Sequence, residues 1–356
     1  MKAAVISLGS TSSVWVGEAL QKYFDQVDML QLKKVEIDLG KDAGVFYEGK
    51  PLPYYDCVYL KGSFRYTQLL RSIATFLERK IPYMPLSPNS FTVVHNKLLT
   101  HLALQQENIP MPRTYLSPTI EAAKELLKKI HFPIVMKFPE GTQGKGVMFA
   151  DSHSSASSLL DALSALKQPF IIQEYIETEG TDIRAFVIGD KVVAAMKRTA
   201  QQEEKRANMH AGGVGEQIQL SREAATLAVK TARVLQADIC GIDILESPLG
   251  PLVIEANISP GLQGLSKVSP VNIADEIARF LYVKTQEMVT GKKKEDSSQL
   301  MDEINNDHAQ EIITKLVFRG EKIILPEFVT KISKFDDRKE YVIKVTKGKV
   351  DIEPTS

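Results

Sequence analysis

The sequence predicts an α+β protein built from successive pieces. Short apolar runs of strand type alternate with amphipathic helical segments as far as residue 257, and a polar stretch at 292–310 sets off the last part of the chain. Lys2–Leu8 and Asp56–Leu60 read as strands, with amphipathic segments at 14–24 and 67–79, giving a small open α/β unit that ends near Ser90. Helices follow at Lys97–Gln106 and Ala122–Ile130, then the strand Ile134-Val-Met-Lys-Phe138, then a helix over Ser155–Leu166. Phe170–Glu174 and Ala185–Ile188 read as strands, with Lys191–Lys197 as the return after Gly189-Asp190. Ser221 is placed to cap a helix whose Leu227, Ala228, Thr231, Val234 and Leu235 form one stripe.

Composition excludes several classes of function. Of 356 residues, 44 are Lys or Arg and 44 are Asp or Glu, so no global field draws the chain to a polyanion, and any such contact is local. The start, Met1-Lys-Ala-Ala-Val-Ile-Ser-Leu8, lacks the long apolar core of a signal peptide, and no run reaches the roughly 20 apolar residues of a membrane span. Cys57 and Cys240 lie in apolar strand-like segments without metal or redox spacing, so they are expected to be reduced core thiols of a cytoplasmic protein.

The most informative stretch is Gly241-Ile-Asp-Ile-Leu245 followed by Leu252-Val-Ile-Glu-Ala-Asn257. If Ser247-Pro248-Leu249-Gly250 closes a hairpin, Asp243 falls opposite Glu255 and Asn257 lies two residues along the same face. Ile242, Ile244, Ile254 and Ala256 are then expected on the core face. Two carboxylates and an amide suit Mg²⁺ held with nucleotide phosphates better than zinc. An ordinary hairpin with a polar outer face is the plain alternative, at about even odds from the hairpin alone.

Two further stretches carry chemistry. Glu140-Gly-Thr-Gln-Gly-Lys-Gly146 directly follows the strand that bears Lys137. Its glycines let backbone amides approach phosphate, although the spacing is not that of a Walker loop and a simple hairpin is the commoner use of such a turn. Lys137 itself, at the end of an apolar strand, calls for an anion. Arg206-Ala-Asn208-Met-His210-Ala-Gly-Gly213 offers a clamp for a transferring phosphoryl group, or a charged loop.

Taken together, Lys97, Lys137, Glu-Gly-Thr-Gln-Gly-x-Gly-Val at 140–147, Gln-Glu-Tyr-Ile at 173–176, Gly-x-Asp-Ile-Arg at 180–184, Arg-x-Asn at 206–208, Gly-Ile-Asp-Ile-Leu at 241–245 and Glu-Ala-Asn-x-Ser-Pro-Gly-Leu at 255–262 resemble an ATP-grasp ligase of the RimK type. The resemblance runs in order over about 95–285 and more loosely before it. It implies an ATP-grasp fold divided into an N-terminal domain at 1–92, a small lid subdomain at 93–172, a catalytic subdomain at 173–290 and a linker at 291–311. A small β module at 312–356 would complete the chain.

The resemblance also implies roles. ATP would lie between the subdomains, with adenine against the Gln173-Glu174-Tyr175 backbone and ribose on Glu174 or Asp182. Lys97 and Lys137 would take the α and β phosphates, with Gly141, Thr142, Gln143, Gly144, Lys145 and Gly146 folding over them. Asp243, Glu255 and Asn257 would hold two Mg²⁺ ions, with Mn²⁺ as a substitute. Arg206 and Asn208 would meet the γ-phosphoryl group, and Arg184 would grip an acidic substrate or serve a structural ion pair. The implied reaction joins an amino acid, glutamate above others, to a carboxylate-bearing protein, carrier protein or coenzyme through an acyl phosphate, so no nucleophilic side chain is needed. Two departures fall near the substrate: Ala211-Gly-Gly where Arg-Gly-Gly is common, and Lys145 where an apolar residue is usual.

The tail is similar to an AbrB-type swapped-hairpin module in its Arg319-Gly-x-x-x-x-Leu-Pro326 pattern and final hairpin. Residues 315–349 hold ten basic against five acidic side chains, so nucleic acid is a conceivable partner. Assembly into a dimer or tetramer ranks above it, because so short a piece hardly buries a full core alone. A DNA-binding regulator that senses ATP is the rival reading of the whole, and the intact Asp243, Glu255 and Asn257 count against it.

Overall fold

A computed structural model describes residues 1–41, 43–141, 146–200 and 214–304, together with 317–319, 322–324, 333, 339–347 and 349–354. It divides into two compact units, Met1–Glu295 and Asp296–Ser356.

The first unit opens with β1 (Lys2–Ser7), α1 (Thr11–Leu20), β2 (Gln26–Gln31), the short strands β3 (Val35–Asp38), β4 (Gly44–Tyr47) and β5 (Lys50–Pro51), β6 (Cys57–Leu60) and α2 (Thr67–Leu77). A parallel sheet ordered β2-β1-β6 forms because β1 and β6 are apolar on both faces and lie buried. Strands β3, β4 and β5 make a separate antiparallel sheet. Helices α3 (Pro88–Val94) and α4 (Lys97–Gln106) lead onward, each started by a side-chain cap, Ser87 and Asn96.

Next come β7 (Thr114–Tyr115), α5 (Ile120–Leu127), β8 (Ile134–Lys137), β9 (Val147–Ala150), α6 (His153–Ala165) and β10 (Ile171–Glu174). Their antiparallel sheet, ordered β7-β10-β8-β9, packs Ile134, Met136 and Ile172 against Ala123, Leu127, Leu160 and Leu163 of the two helices.

The largest sheet has the order β13-β12-β11-β14-β15. It comprises β11 (Thr181–Ile188), β12 (Lys191–Thr199), β13 (Val214–Gln217), β14 (Ile239–Ser247) and β15 (Gly250–Asn257), with α7 (Arg222–Val234) packed on it. Ser221 does cap α7, accepting from the Ala224 amide. One continuous buried cluster joins this sheet to the N-terminal strands, so the first 92 residues share a core with the catalytic sheet. Tyr83 donates to Asp238 at 2.6 Å and Ser12 accepts from the Leu262 amide at 2.9 Å across that junction.

Helices α8 (Gln263–Val268) and α9 (Ile273–Ile304) close the unit. The backbone of α9 stays helical through much of the stretch expected to be a linker, because Lys, Glu, Gln and Met there are good helix formers without Gly or Pro after Gly291. Cys57 and Cys240 are free and buried, as expected of core thiols. No helix among the described residues is long and apolar enough to cross a membrane. In the second unit, β16 (Val317–Arg319) pairs with β17 (Lys322–Ile324), and β18 (Tyr341–Thr346) with β19 (Lys349–Pro354).

Candidate active site

The β14–β15 hairpin turns at Pro248-Leu249, where Ser247 Oγ donates to the Gly250 carbonyl at 2.8 Å and Gly250 takes φ +114°, a conformation that favours glycine. Its register pairs Asp243 with Glu255 and Gly241 with Asn257, as the sequence predicts. A bulge changes one expectation. Ile244 pairs with Val253, so Ile254 is the extra residue; Val253 takes the core position and Ile254 faces a cleft of about 600 Å³. Ile242, Ile244 and Ala256 are buried as expected.

The cleft is lined by Lys137, Asp243, Glu255 and Asn257 from the two sheets, by Lys97 from α4 and by Lys61 just after β6. Lys97, the first residue of α4, donates from Nζ to the Gly141 carbonyl at 2.8 Å. Lys137, the last residue of β8, donates to Gln173 Oε1 at 2.6 Å, and Gln173 Nε2 donates to Thr114 Oγ1 at 2.9 Å. Burial pulls the Lys137 ammonium down to about 8, Glu255 draws it back up and Lys97 adds to the lowering. His101, one helical turn beyond Lys97 and unremarked in the sequence, is held neutral by burial and by Lys137, at about 4.

Gln173 is buried and its side chain is spent on Lys137 and Thr114, so only its backbone is left for a base. Glu174 Oε1 accepts from the Arg113 amide at 2.7 Å, and the Tyr175 ring stands edge-on to Phe149 at 5.8 Å. Gly146 has φ +77°, and a Cβ there would collide with the Phe138 ring. Thr142, Gln143, Gly144, Lys145, Arg206, Asn208 and His210 lie outside the described residues.

A buried charge network occupies the floor. Cross-strand neighbours Arg184 and Asp243 form a two-pronged pair, Nε to Oδ1 at 2.8 Å and Nη2 to Oδ2 at 2.7 Å. Arg198, 3 % exposed, donates to Asp182 at 2.5 and 2.7 Å and meets Asp243 Oδ2 at 2.8 Å. Burial opposes the charge on Asp243, yet Arg184 and Arg198 hold its carboxyl well below the usual range. Burial outweighs Arg198 at Asp182 and pushes it up to about 6, with Asp243 adding to the rise. Asp182 therefore has both oxygens engaged inside the protein, and Arg184 serves an ion pair. Arg198 is the residue the sequence reading misses; the signal was its place two residues beyond Met196, on the same strand face.

The donor set fits a hard cation: Glu255 carries carboxylate oxygens, Asp243 Oδ1 accepts one bond from Arg184 and keeps a lone pair, and the Asn257 Oδ1 accepts from the Ser259 amide at 2.9 Å with a lone pair to spare. Among the described residues no group of three His, Cys, Asp or Glu side chains forms a metal cluster, so the amide is needed to complete the set.

Two antiparallel sheets with a cleft between them, lysines on one wall and oxygen donors on the other, define an ATP-grasp enzyme of the ADP-forming ligase class. The chain belongs to the RimK-like ATP-grasp family, whose domain pattern matches residues 94–281. It is 36% identical over 267 residues to a probable alpha-L-glutamate ligase of Saccharophagus degradans, covering 74% of this chain and 88% of that one. The fold is shared with the ATP-grasp ligase PsnB complexed with minimal precursor, Mg and ADP, at TM-score 0.62 and 19% identity over 80% of this chain and 98% of PsnB. A RimK domain ATP-grasp protein of Sphaerobacter thermophilus superposes at TM-score 0.61 and 16% identity, covering 79% and 99% of the two chains.

Proposed function

We propose that this protein uses ATP and Mg²⁺ to join glutamate to a carboxylate-bearing acceptor, forming an amide through an acyl phosphate. The observation that carries the reading is the meeting, in one cleft, of Lys97 and Lys137 with the oxygens of Asp243, Glu255 and Asn257. The glutamate ligase of Saccharophagus degradans supports the amino acid, and the Mg and ADP bound by PsnB support the nucleotide and cation.

Bound Mg²⁺ would supply charge neutralisation between the β and γ phosphates. Lys97 and Lys137 orient the phosphate chain. An oxygen of the acceptor carboxylate attacks the γ-phosphorus; the bond to the bridging oxygen breaks and ADP leaves. The amine nitrogen then attacks the acyl carbon, phosphate departs with the C–O bonding pair, and the amine proton passes to solvent or phosphate. Arg206 and Asn208 are proposed to meet the transferring phosphoryl group, and Glu174 the ribose. Arg198 and Arg184 fix Asp243 in place, a positioning task. The second unit is proposed to pair with its copy in another chain.

The test is incubation of the full chain with labelled ATP, Mg²⁺, candidate acceptors from cell extract and each of the twenty amino acids in turn. ADP release and a product heavier by one glutamyl unit are expected with L-glutamate. ADP release that no amino acid stimulates would count against the reading.

A further inference from the structure

Lys61 is the first residue after β6, and it is 4 % exposed. Its backbone amide is tied to the Ile6 carbonyl at 2.9 Å, which continues the sheet edge and turns the side chain into the cleft. Gly62 fixes the exit: a Cβ there would press on Leu70 and Leu32, so the chain passes closer than any other residue allows. The position is rigidly built.

The ammonium has little to hold it there. Its hydrogen bond to the Pro260 carbonyl is long, 3.5 Å, and the Tyr59 ring lies 5.2 Å away. Arg184 and Arg198 each have an aspartate, whereas among the described residues Lys61 has no acidic partner, and burial draws it down to about 8. A buried cation without a counter-charge is costly and is kept where an anion arrives to meet it.

Its neighbours say which anion. Gly62 N donates to Ser259 Oγ at 3.0 Å, and Ser259 N donates to Asn257 Oδ1 at 2.9 Å. Gly62, the residue after Lys61, is thus linked through Ser259 to Asn257, one of the hairpin residues proposed for the metal, while the nucleotide lysines Lys97 and Lys137 stand on α4 and β8. Ser10, which caps α1, and Ser13 on its first turn line the same cleft.

We propose that Lys61 and the Ser259-Pro260 turn form the subsite for a carboxylate of the amino-acid substrate, so that the N-terminal domain, and not only the ATP-grasp core, reads the substrate. This rests on the ligase reading above. The ammonium binds one carboxylate of glutamate by a charge-assisted hydrogen bond and leaves its amine free to attack the acyl phosphate.

The experiment titrates the full chain with L-glutamate by calorimetry in the presence of Mg²⁺ and the non-hydrolysed ATP analogue AMP-PNP, and titrates AMP-PNP separately. K61M is expected to weaken glutamate binding about tenfold or more while AMP-PNP binding stays within about threefold, and K61R is expected to recover most of the loss. A packing role would not separate the two ligands. Should K61M fail to bind AMP-PNP through misfolding, K61Q, which keeps a polar head for the Pro260 carbonyl, gives the same comparison. Glutamate binding unchanged in a folded variant, or a loss confined to AMP-PNP, would overturn the proposal alone. A wild-type protein that binds AMP-PNP but no glutamate would overturn the glutamate reading together with it.

Discussion

Arg184 grips Asp243 across β11 and β14 with two parallel hydrogen bonds of 2.8 and 2.7 Å. A carboxylate held that firmly, and well below its usual range, stays ionised at every working pH. Replacing it by an amide therefore removes a full charge from the hairpin. D243N and E255Q are expected to cut ligase turnover at least ~10³-fold, because each withdraws several kcal/mol of charge stabilisation from the transition state. Circular dichroism should show folded E255Q. Turnover within about tenfold of wild type in E255Q would remove that residue from the metal set.

Arg198 sits between Asp182 and Asp243, almost wholly enclosed. R198M would strand the buried Asp182 carboxylate and leave Asp243 with Arg184 alone, so a loss of about 3–5 kcal/mol in folding stability is expected. Urea unfolding measures it, and adding D182N should return part of the loss. A stability change under about 1 kcal/mol would show that water already screens the network.

Gly146 carries φ +77° beside the Phe138 ring. G146V strains the backbone and displaces that ring, so the turn should shift away from the phosphates and ATP affinity should fall about tenfold or more without global unfolding. Calorimetry that finds the affinity unchanged would reduce this loop to a connector. Gly144 belongs to the same expectation but lies outside the described residues.

The Lys137 value of about 8 gives a pH dependence. In the free protein the ammonium loses its proton as pH rises through 8, whereas bound phosphates favour the charged form and raise the value again. Nucleotide binding at about pH 8.5 is therefore expected to take up protons and to weaken as pH rises further. Calorimetry in two buffers of different ionisation heat reads the uptake. Equal uptake in wild type and K137M would assign the proton elsewhere.

In the second unit Ile343, Val345 and Val350 stand exposed on a two-stranded sheet, and Ile323 on another. Such small sheets are marginal alone and leave edges to pair. Deleting everything after Glu295 is expected to lower the oligomeric state while glutamate-dependent ATP hydrolysis persists. Light scattering that finds one oligomer for both chains would remove the assembly role.

Local pattern made much of the fold legible. Lys97–Gln106 is the helix the sequence predicts, and Ser221 marks the start of α7 because its side chain caps it. Strands β1, β6, β8 and β10 show as apolar runs. By contrast β3, β4 and β5 are four, four and two residues long in a charged, Gly-containing segment, too short for a period to emerge. The hairpin register of Asp243 and Glu255 follows from period two and turn chemistry, yet the bulge at Ile254 does not, since it answers to packing across the sheet.

The sequence by itself determined the family, from motifs in order along the chain, and the register that sets Asp243 opposite Glu255, which rests on spacing within a short segment. Only the tertiary structure decided that Arg198 joins Asp182 to Asp243, that Gln173 turns its side chain to Lys137, and that Lys61 enters the same cleft from the N-terminal domain. Those pairings link residues from 16 to almost 200 positions apart. Whether a buried charge has a partner is set by which strands the whole core brings side by side, and no local pattern records it.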